Sequence, residues 1–241
     1  MNEARSGLLH SPEAPERPTW SSTFRRFPTG PMTILGPVTL DVHDWTVPRP
    51  GPSPLFNHPF LEWFTESRPR TLAMVFLPIC AGFIWVGLVA GWSPSASALL
   101  FAGGVALWTL LEYLTHRFLF HLTPRGRFGI LFAYLIHGGH HAFPEDPRRW
   151  VMPPIVTVPI AAVLFSGLYL LIGVASPPVF SGALFGYLAY DLIHYACHAG
   201  TLRWRPLRYL RQHHITHHYR TPATRFGVSS PIWDHVFGTF R

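Results

Sequence analysis

Residues 71–111 read TLAMVFLPICAGFIWVGLVAGWSPSASALLFAGGVALWTLL, and not one of them is charged. About 20 apolar residues cross a bilayer as a helix, so the stretch holds two spans. Its turn is expected at Gly91-Trp92-Ser93-Pro94, because clusters of Gly, Ser and Pro punctuate helices. Residues 150–190, WVMPPIVTVPIAAVLFSGLYLLIGVASPPVFSGALFGYLAY, are equally free of charge and are expected to break around Gly173 to Pro178. The reading is an all-α integral membrane protein with four transmembrane helices, roughly 71–91, 95–117, 152–173 and 178–198. Of the 241 residues, 48% are hydrophobic and only 13% charged, too apolar a balance for an ordinary soluble domain.

Two helical hairpins put both chain ends and the 118–151 connection on one side of the membrane. Arg68, Arg70, Arg117, Arg125, Arg127, Arg148 and Arg149, then the arginines from Arg203 through Arg225, fall on that side, and the two opposite turns carry none. By the positive-inside rule that side is cytoplasmic. The net charge of +7 comes from nineteen basic residues, all arginine, spread over membrane-flanking segments. No nucleic-acid motif accompanies them, so orientation and contact with anionic lipid explain them better than nucleic acid does.

Ten of the fifteen histidines form four clusters: His116 and His121; His137, His140 and His141; His194 and His198; His214, His217 and His218. Residues three or four apart share a helix face, so each of the last three clusters is half of a metal site. His116 and His121, five apart, would diverge by about 140° on a regular helix, which suggests a helix that ends between them or two separate metals. One ion takes at most about six ligands, and a catalytic one keeps a position open. Ten imidazoles therefore suit two ions. The predicted topology delivers the ends of the second and fourth spans, with their histidines, to one cytoplasmic level, and the other two clusters lie in the segments that follow.

Glu112 and Asp191 interrupt the apolar runs one helical turn before His116 and His194. Each is expected to reach a ring N–H of a ligating imidazole and fix its tautomer; pairing with arginine and direct ligation are the alternatives. Tyr190, Tyr195 and Tyr219 flank the same clusters and are candidates to line a substrate site. His213 offers a second register, either in place of His214 or as an outer hydrogen-bond donor. His10, His43 and His58 are expected to be solvated and His235 structural. Cys80 and Cys197 have no metal or disulfide spacing and read as buried apolar residues.

Residues 1–69 hold twelve of the twenty-five prolines and are expected to be loosely structured, with Phe60-Leu61-Glu62-Trp63-Phe64 as a possible interfacial helix. Residues 70–241 make the second unit. No apolar run follows Met1-Asn2-Glu3-Ala4-Arg5, so the first span is expected to direct insertion.

H-E-x-x-H, the mark of many zinc hydrolases, is absent. An excess of imidazole fits a redox pair, in which two irons bind and reduce oxygen and the oxidant so formed attacks an unactivated C–H bond. Imidazole sites also bind zinc more tightly than ferrous iron, so a purified sample can carry zinc. The residues around the clusters resemble the membrane fatty acid hydroxylase and sterol desaturase superfamily, in its fatty acid 2-hydroxylase branch. The likeness is carried by Trp108 to Tyr113 running into His116 to His121, by His137-Gly138-Gly139-His140-His141, by Gly186 to Asp191 before His194 and His198, and by His213 to His218 followed by Phe226-Gly227-Val228-Ser229-Ser230. It covers roughly residues 53–240.

The resemblance implies a four-helix membrane anchor under a helical cytosolic cap, with a dimetal centre between them. It also implies oxidation at C2 of a fatty acyl chain, free or within a sphingolipid-like lipid. Many eukaryotic relatives carry a fused cytochrome b5 domain with a His-Pro-Gly-Gly motif, where this chain has His58-Pro59-Phe60. Electrons are therefore expected from a separate cytochrome b5-like or ferredoxin-like donor. The absence of lysine points to a GC-rich, bacterial coding sequence, hence to a bacterial inner membrane. Another superfamily reaction, on a sterol or carotenoid, and a non-redox, zinc-stabilised membrane protein remain the alternatives.

Overall fold

A computed structural model describes residues 29–52 and 54–241. In chain order it contains β1 (Gly30–Leu35), β2 (Val38–Val42), α1 (Pro59–Thr65), α2 (Pro69–Val89), α3 (Pro94–Leu114), α4 (Gly126–Ala133), α5 (Gly139–Ala142), α6 (Pro154–Ile172), α7 (Ser176–Ala199), α8 (Arg205–Tyr219) and α9 (Ile232–Val236). Three helical stretches are long and apolar enough to cross a membrane, Pro69–Val89, Pro94–Phe120 and Pro147–Ala199. The third contains both α6 and α7, which pack on each other across a turn at Gly173 (φ +57°). Gly, free of the Cβ clash in the left-handed region, is suited to such a reversal.

The breaks come where the punctuation predicts. Pro94 opens the first turn of α3, and the Ser93 hydroxyl caps it by accepting from the Ala96 N–H at 3.2 Å. Pro177 and Pro178 sit in the first turn of α7, where their missing N–H groups cost nothing. Trp92, in the first turn, donates its indole N–H to Val174 O in the second at 2.8 Å, so the two turns lie side by side.

At the centre stands α7. It buries fifteen residues, whereas α6 buries none and presents apolar side chains all round. Small residues let its neighbours approach closely. A Cβ added to Gly104 of α3 would lie 1.9 Å from Val179 O, and one on Gly182 of α7 would lie 1.9 Å from Phe101 O. Against the other side of α7, Leu72, Phe76 and Cys80 of α2 pack on Phe180, Leu184 and Tyr187. Cys80 and Cys197 are buried, as expected.

The segment before α2 departs from the expectation of a loose, all-α chain. Residues 30–42 form an antiparallel hairpin, with Gly36 at φ +56° in its turn, and Leu40 and Val42 pack with Leu55 against Ile130, Tyr134 and Phe143. Its alternating apolar residues, on either side of a Gly-Pro turn, find a buried partner in the cap. His43 is likewise tied down rather than solvated, 3.2 Å from Asp41 Oδ2. Glu62 fastens α1 by accepting the N–H groups of Leu55 and Phe56 and by pairing with Arg149, while Phe60 and Trp63 stay exposed. His58 is exposed as expected, and His10 lies outside the described residues.

Candidate metal centre

The ten clustered histidines converge on two groups of five. His116, His121, His137, His141 and His217 form centre I; His140, His194, His198, His214 and His218 form centre II. Within each group one nitrogen per ring lies within 4.8 Å of all the others. In every case it is Nε2, with neighbouring pairs 3.0 to 3.2 Å apart in centre I and 2.9 to 3.1 Å in centre II.

The spacing of His116 and His121 is resolved by a π turn over Thr115–Phe120, in which the His121 N–H reaches back five residues to His116 O. A π turn hydrogen-bonds one residue further than an α turn, which brings the two rings to the same face with Nε2 atoms 3.2 Å apart. The helix ends at Phe120, between the two histidines as expected, with His121 at its C-cap; both rings serve one centre, so two separate metals are not the explanation. A second π turn, Tyr134–Gly138, leads into α5. The clusters on α5 and α8 are not half-sites of a single ion either. His137 and His141 face centre I while His140 faces centre II, and on α8 His214 and His218 face centre II while His217 faces centre I.

Several ring N–H groups find backbone carbonyls. His116 Nδ1 lies 2.5 Å from Phe226 O, His217 Nδ1 2.6 Å from Thr224 O, and His194 Nδ1 2.8 Å from Trp150 O. A proton held at Nδ1 leaves the Nε2 lone pair facing inward. Burial holds His137, His140, His141, His214 and His218 well below the usual histidine range and pushes His217 down to about 4, so these rings are neutral at pH 7.

Lone pairs aimed at one another at 3 Å repel unless a cation lies between them. Two nitrogens bound at about 2.1 Å to one ion lie about 3.0 Å apart at right angles and about 3.4 Å at the tetrahedral angle. The observed edges match the right-angled arrangement. Five such donors leave a six-coordinate ion one open position. The donor set therefore fits a transition metal in each centre.

Neither Glu112 nor Asp191 touches an imidazole, contrary to the sequence expectation. Glu112 accepts the N–H groups of Val228 and Ser229, at 2.7 and 2.8 Å, and the Ser229 hydroxyl. Asp191 accepts the Met152 N–H at 3.2 Å and the Tyr187 hydroxyl at 2.8 Å. The effect is indirect in both cases. Each carboxylate pins a loop whose nearby carbonyl, Phe226 O or Trp150 O, holds the histidine one turn further along the same helix. Tyr190 stacks parallel to His194, with centroids 5.9 Å apart, and Tyr195 packs edge-on against Trp150. Tyr219 is 42% exposed on the outer side of α8.

Sequence reasoning missed Asp234, which accepts the N–H groups of Phe226 and Gly227 and binds His213 Nε2 at 3.0 Å and the Thr239 hydroxyl at 2.7 Å. Together with Glu112 it engages four successive N–H groups of the 226–229 loop. Burial alone would raise the Asp234 carboxyl, but these hydrogen bonds outweigh it and hold the group below the ordinary carboxylate range. His213 is thus an outer partner, while His214 joins centre II; His235 stacks on Phe240 at 3.9 Å.

Apolar helices of membrane-spanning length, ending at two adjacent five-imidazole centres, define a histidine-rich membrane metalloenzyme architecture. The chain belongs to the fatty acid hydroxylase family, whose model matches residues 101–239, and is an enzyme of this hydroxylating oxidoreductase class. A dihydroceramide fatty acyl 2-hydroxylase of Arabidopsis thaliana is 35% identical over 199 residues, 82% of this chain and 84% of that protein. A ceramide very long chain fatty acid hydroxylase of Schizosaccharomyces pombe is 35% identical over 88% of this chain, which spans 63% of the fission yeast protein. The human fatty acid 2-hydroxylase is 38% identical over 58% of this chain and 39% of its own length. A structure of full-length Scs7p, in which only the hydroxylase domain is visible, superposes with a TM-score of 0.72 at 35% identity, over 76% of this chain and 70% of that one.

Proposed function

We propose that this chain is a membrane-bound lipid monooxygenase that uses O2 to hydroxylate C2 of a fatty acyl chain, free or in a sphingolipid-like lipid. The ten clustered histidines hold two metal ions, iron in the active enzyme, and a separate one-electron carrier supplies the reducing equivalents. The names of the relatives support the C2 position. The carrying observation on this chain is a cavity of about 210 Å3 whose wall includes His121 and His141 of centre I beside Trp45, Phe118, Leu122 and Phe226. It is smaller than the about 300 Å3 of a typical ligand pocket, so it suits one segment of an acyl chain rather than a whole lipid. Arg117, held by the Tyr113 hydroxyl at 2.8 Å, supplies the one cation in the wall among the described residues and can meet a polar head group.

Bound iron would supply O2 activation and the oxidising power to break the C–H bond. The chain's own part is to keep ten Nε2 atoms aimed inward, to exclude water with the apolar wall and to seat the lipid head near centre I. Carbons close to that head are then the reachable ones.

In the topology proposed here four helices cross the membrane, α2, α3, α6 and α7, with both chain ends and the two centres at the cytoplasmic face of a bacterial inner membrane. The 53-residue third stretch supports this, because at 1.5 Å per residue it is far longer than one crossing. The exposed Phe60 and Trp63 suit a helix lying at the interface.

Lipid mass spectrometry of cells with and without the gene tests the reaction. 2-Hydroxy acyl lipids are expected with the wild-type chain and not with His194→Ala. Mid-chain hydroxylation, a double bond or an oxidised isoprenoid would overturn the C2 assignment while leaving the metal centres in place.

A further inference from the structure

We infer that the outer face of α8 is the docking surface for an acidic one-electron carrier protein. The inference rests on the monooxygenase reading, in which each turnover follows RH + O2 + 2 e− + 2 H+ → ROH + H2O. The C–H bond gives up two electrons and two reduced carriers give up one each, so O2 takes four.

Two opposite stripes run along α8. His213, His214, His217 and His218 are buried on the inner one. Arg208, Arg211, Gln212, Ile215 and Tyr219 share the outer one at spacings of three and four, and line a groove of about 690 Å3 that continues to Arg220. From Leu192 to Trp233 the chain has no carboxylate, but it has Arg203, Arg205, Arg208, Arg211, Arg220 and Arg225. Arg211 donates through Nε to Cys197 O and still lines the groove. One acid, Glu145, lies at the edge, beside the Tyr219 hydroxyl. A concave surface with this much charge of one sign draws an acidic partner and raises its rate of encounter.

The same helix carries ligands of both centres on its inner side. A helix with its side chains is about 10–12 Å across. Among the described residues the cavity at His121 and His141 also reaches centre I, and the proposed function gives it to the acyl substrate. Every residue of α5 is buried, and Trp45 and Leu55 close over Gly138 and Gly139 at its start. The 115–120 turn shows apolar Phe118 and Leu119 outward, and α7 belongs to a membrane-length stretch. A carrier on the arginine groove would therefore stand one helix away from His217 of centre I and from His214 and His218 of centre II.

The test uses the full metal-loaded chain in nanodiscs of zwitterionic lipid, with an acidic soluble cytochrome b5 haem domain and an acidic [2Fe–2S] ferredoxin as probes. R208E/R220E, which spares the Arg211 contact, is compared with the wild type. Expected are binding of at least one carrier weakened about tenfold or more at low salt, a difference that shrinks at high salt, and a parallel fall in carrier oxidation. Metal content and lipid hydroxylation driven by a small-molecule reductant should be unchanged. If the variant loses metal, R208Q/R220Q repeats the measurement.

Equal carrier binding by wild type and variants overturns the docking face. So does a wild type that hydroxylates with the small reductant but binds neither carrier, or a charge effect that appears only as weaker association with anionic vesicles. A wild type that hydroxylates with no reductant at all overturns the monooxygenase reading instead.

Discussion

The imidazole of His141 lies nearly face to face with that of His218, ring centroids 4.1 Å apart and planes 23° from parallel. His141 belongs to centre I and His218 to centre II, and each of the ten histidines belongs to one group only. The two centres touch through stacked rings rather than through a shared ligand, so each can be emptied by itself. The wild-type chain should hold about two ions. H116A/H121A and H194A/H198A should each hold about one, read by elemental analysis of a well-folded preparation. A chain that loses both ions together in either variant would contradict independent centres.

Asp234 should set the shape of centre I without touching a metal. Asp234→Asn places an amide where four donors converge, at a cost of about 2–4 kcal/mol. Thermal unfolding in detergent should show this, and metal loss should fall on centre I. Because its folded pKa is depressed, the stability this carboxylate contributes is fully present above its unfolded value of about 3.9 and is lost as pH falls through the lower folded value. The gap between wild type and variant should therefore narrow below about pH 4.

Asp191→Asn should mirror that effect at centre II, by loosening Met152 and with it the Trp150 carbonyl that holds His194. Outer partners of metal ligands typically change affinity about 10–100-fold. Metal titration should find the weakening in one centre, with the other unmoved.

Gly182→Ala tests the close contact of α3 and α7. Its Cβ would meet the Phe101 carbonyl oxygen at 1.9 Å, so one of the helices must move. Overpacking of this kind costs about 1–3 kcal/mol or more, and the melting temperature should drop. Gly167→Ala in α6, where an added Cβ meets nothing within 4 Å, should leave it unchanged.

Orientation can be read with reporters. Tags at both ends are expected in the cytoplasm, and a reporter at Ser95 in the opposite compartment. Finding Ser95 cytoplasmic would break the proposed arrangement of the four helices.

Features that depend on neighbours in sequence were legible before the fold. Both charge-free runs, the breaks at Ser93-Pro94 and Gly173, and the ten histidines as one group follow from local composition and spacing. The division of those histidines was not legible. Whether His140 joins His137 or His194 depends on how α5 meets α7, a matter of tertiary packing. Glu112 and Asp191 stood out as charges in apolar helices, and Tyr187 lies one turn from Asp191, yet the backbone N–H groups they hold are 116 residues away for Glu112 and 39 for Asp191, which no sequence pattern encodes. The hairpin over 30–42 carried a signal, apolar residues alternating on either side of Gly36-Pro37, but the surrounding prolines masked it.

The Tyr113 hydroxyl lies 2.9 Å from the Thr239 hydroxyl, which donates to Asp234, which holds the loop whose carbonyl orients His116. His116 and His121 leave the ribosome about a hundred residues before His217 completes their set and before residues 224–239 arrive to brace it. Centre I therefore cannot take its final shape during synthesis of the helices that bear its first ligands. The first ligands of centre I thus wait for the last part of the chain to be made before their carbonyl and carboxylate braces exist.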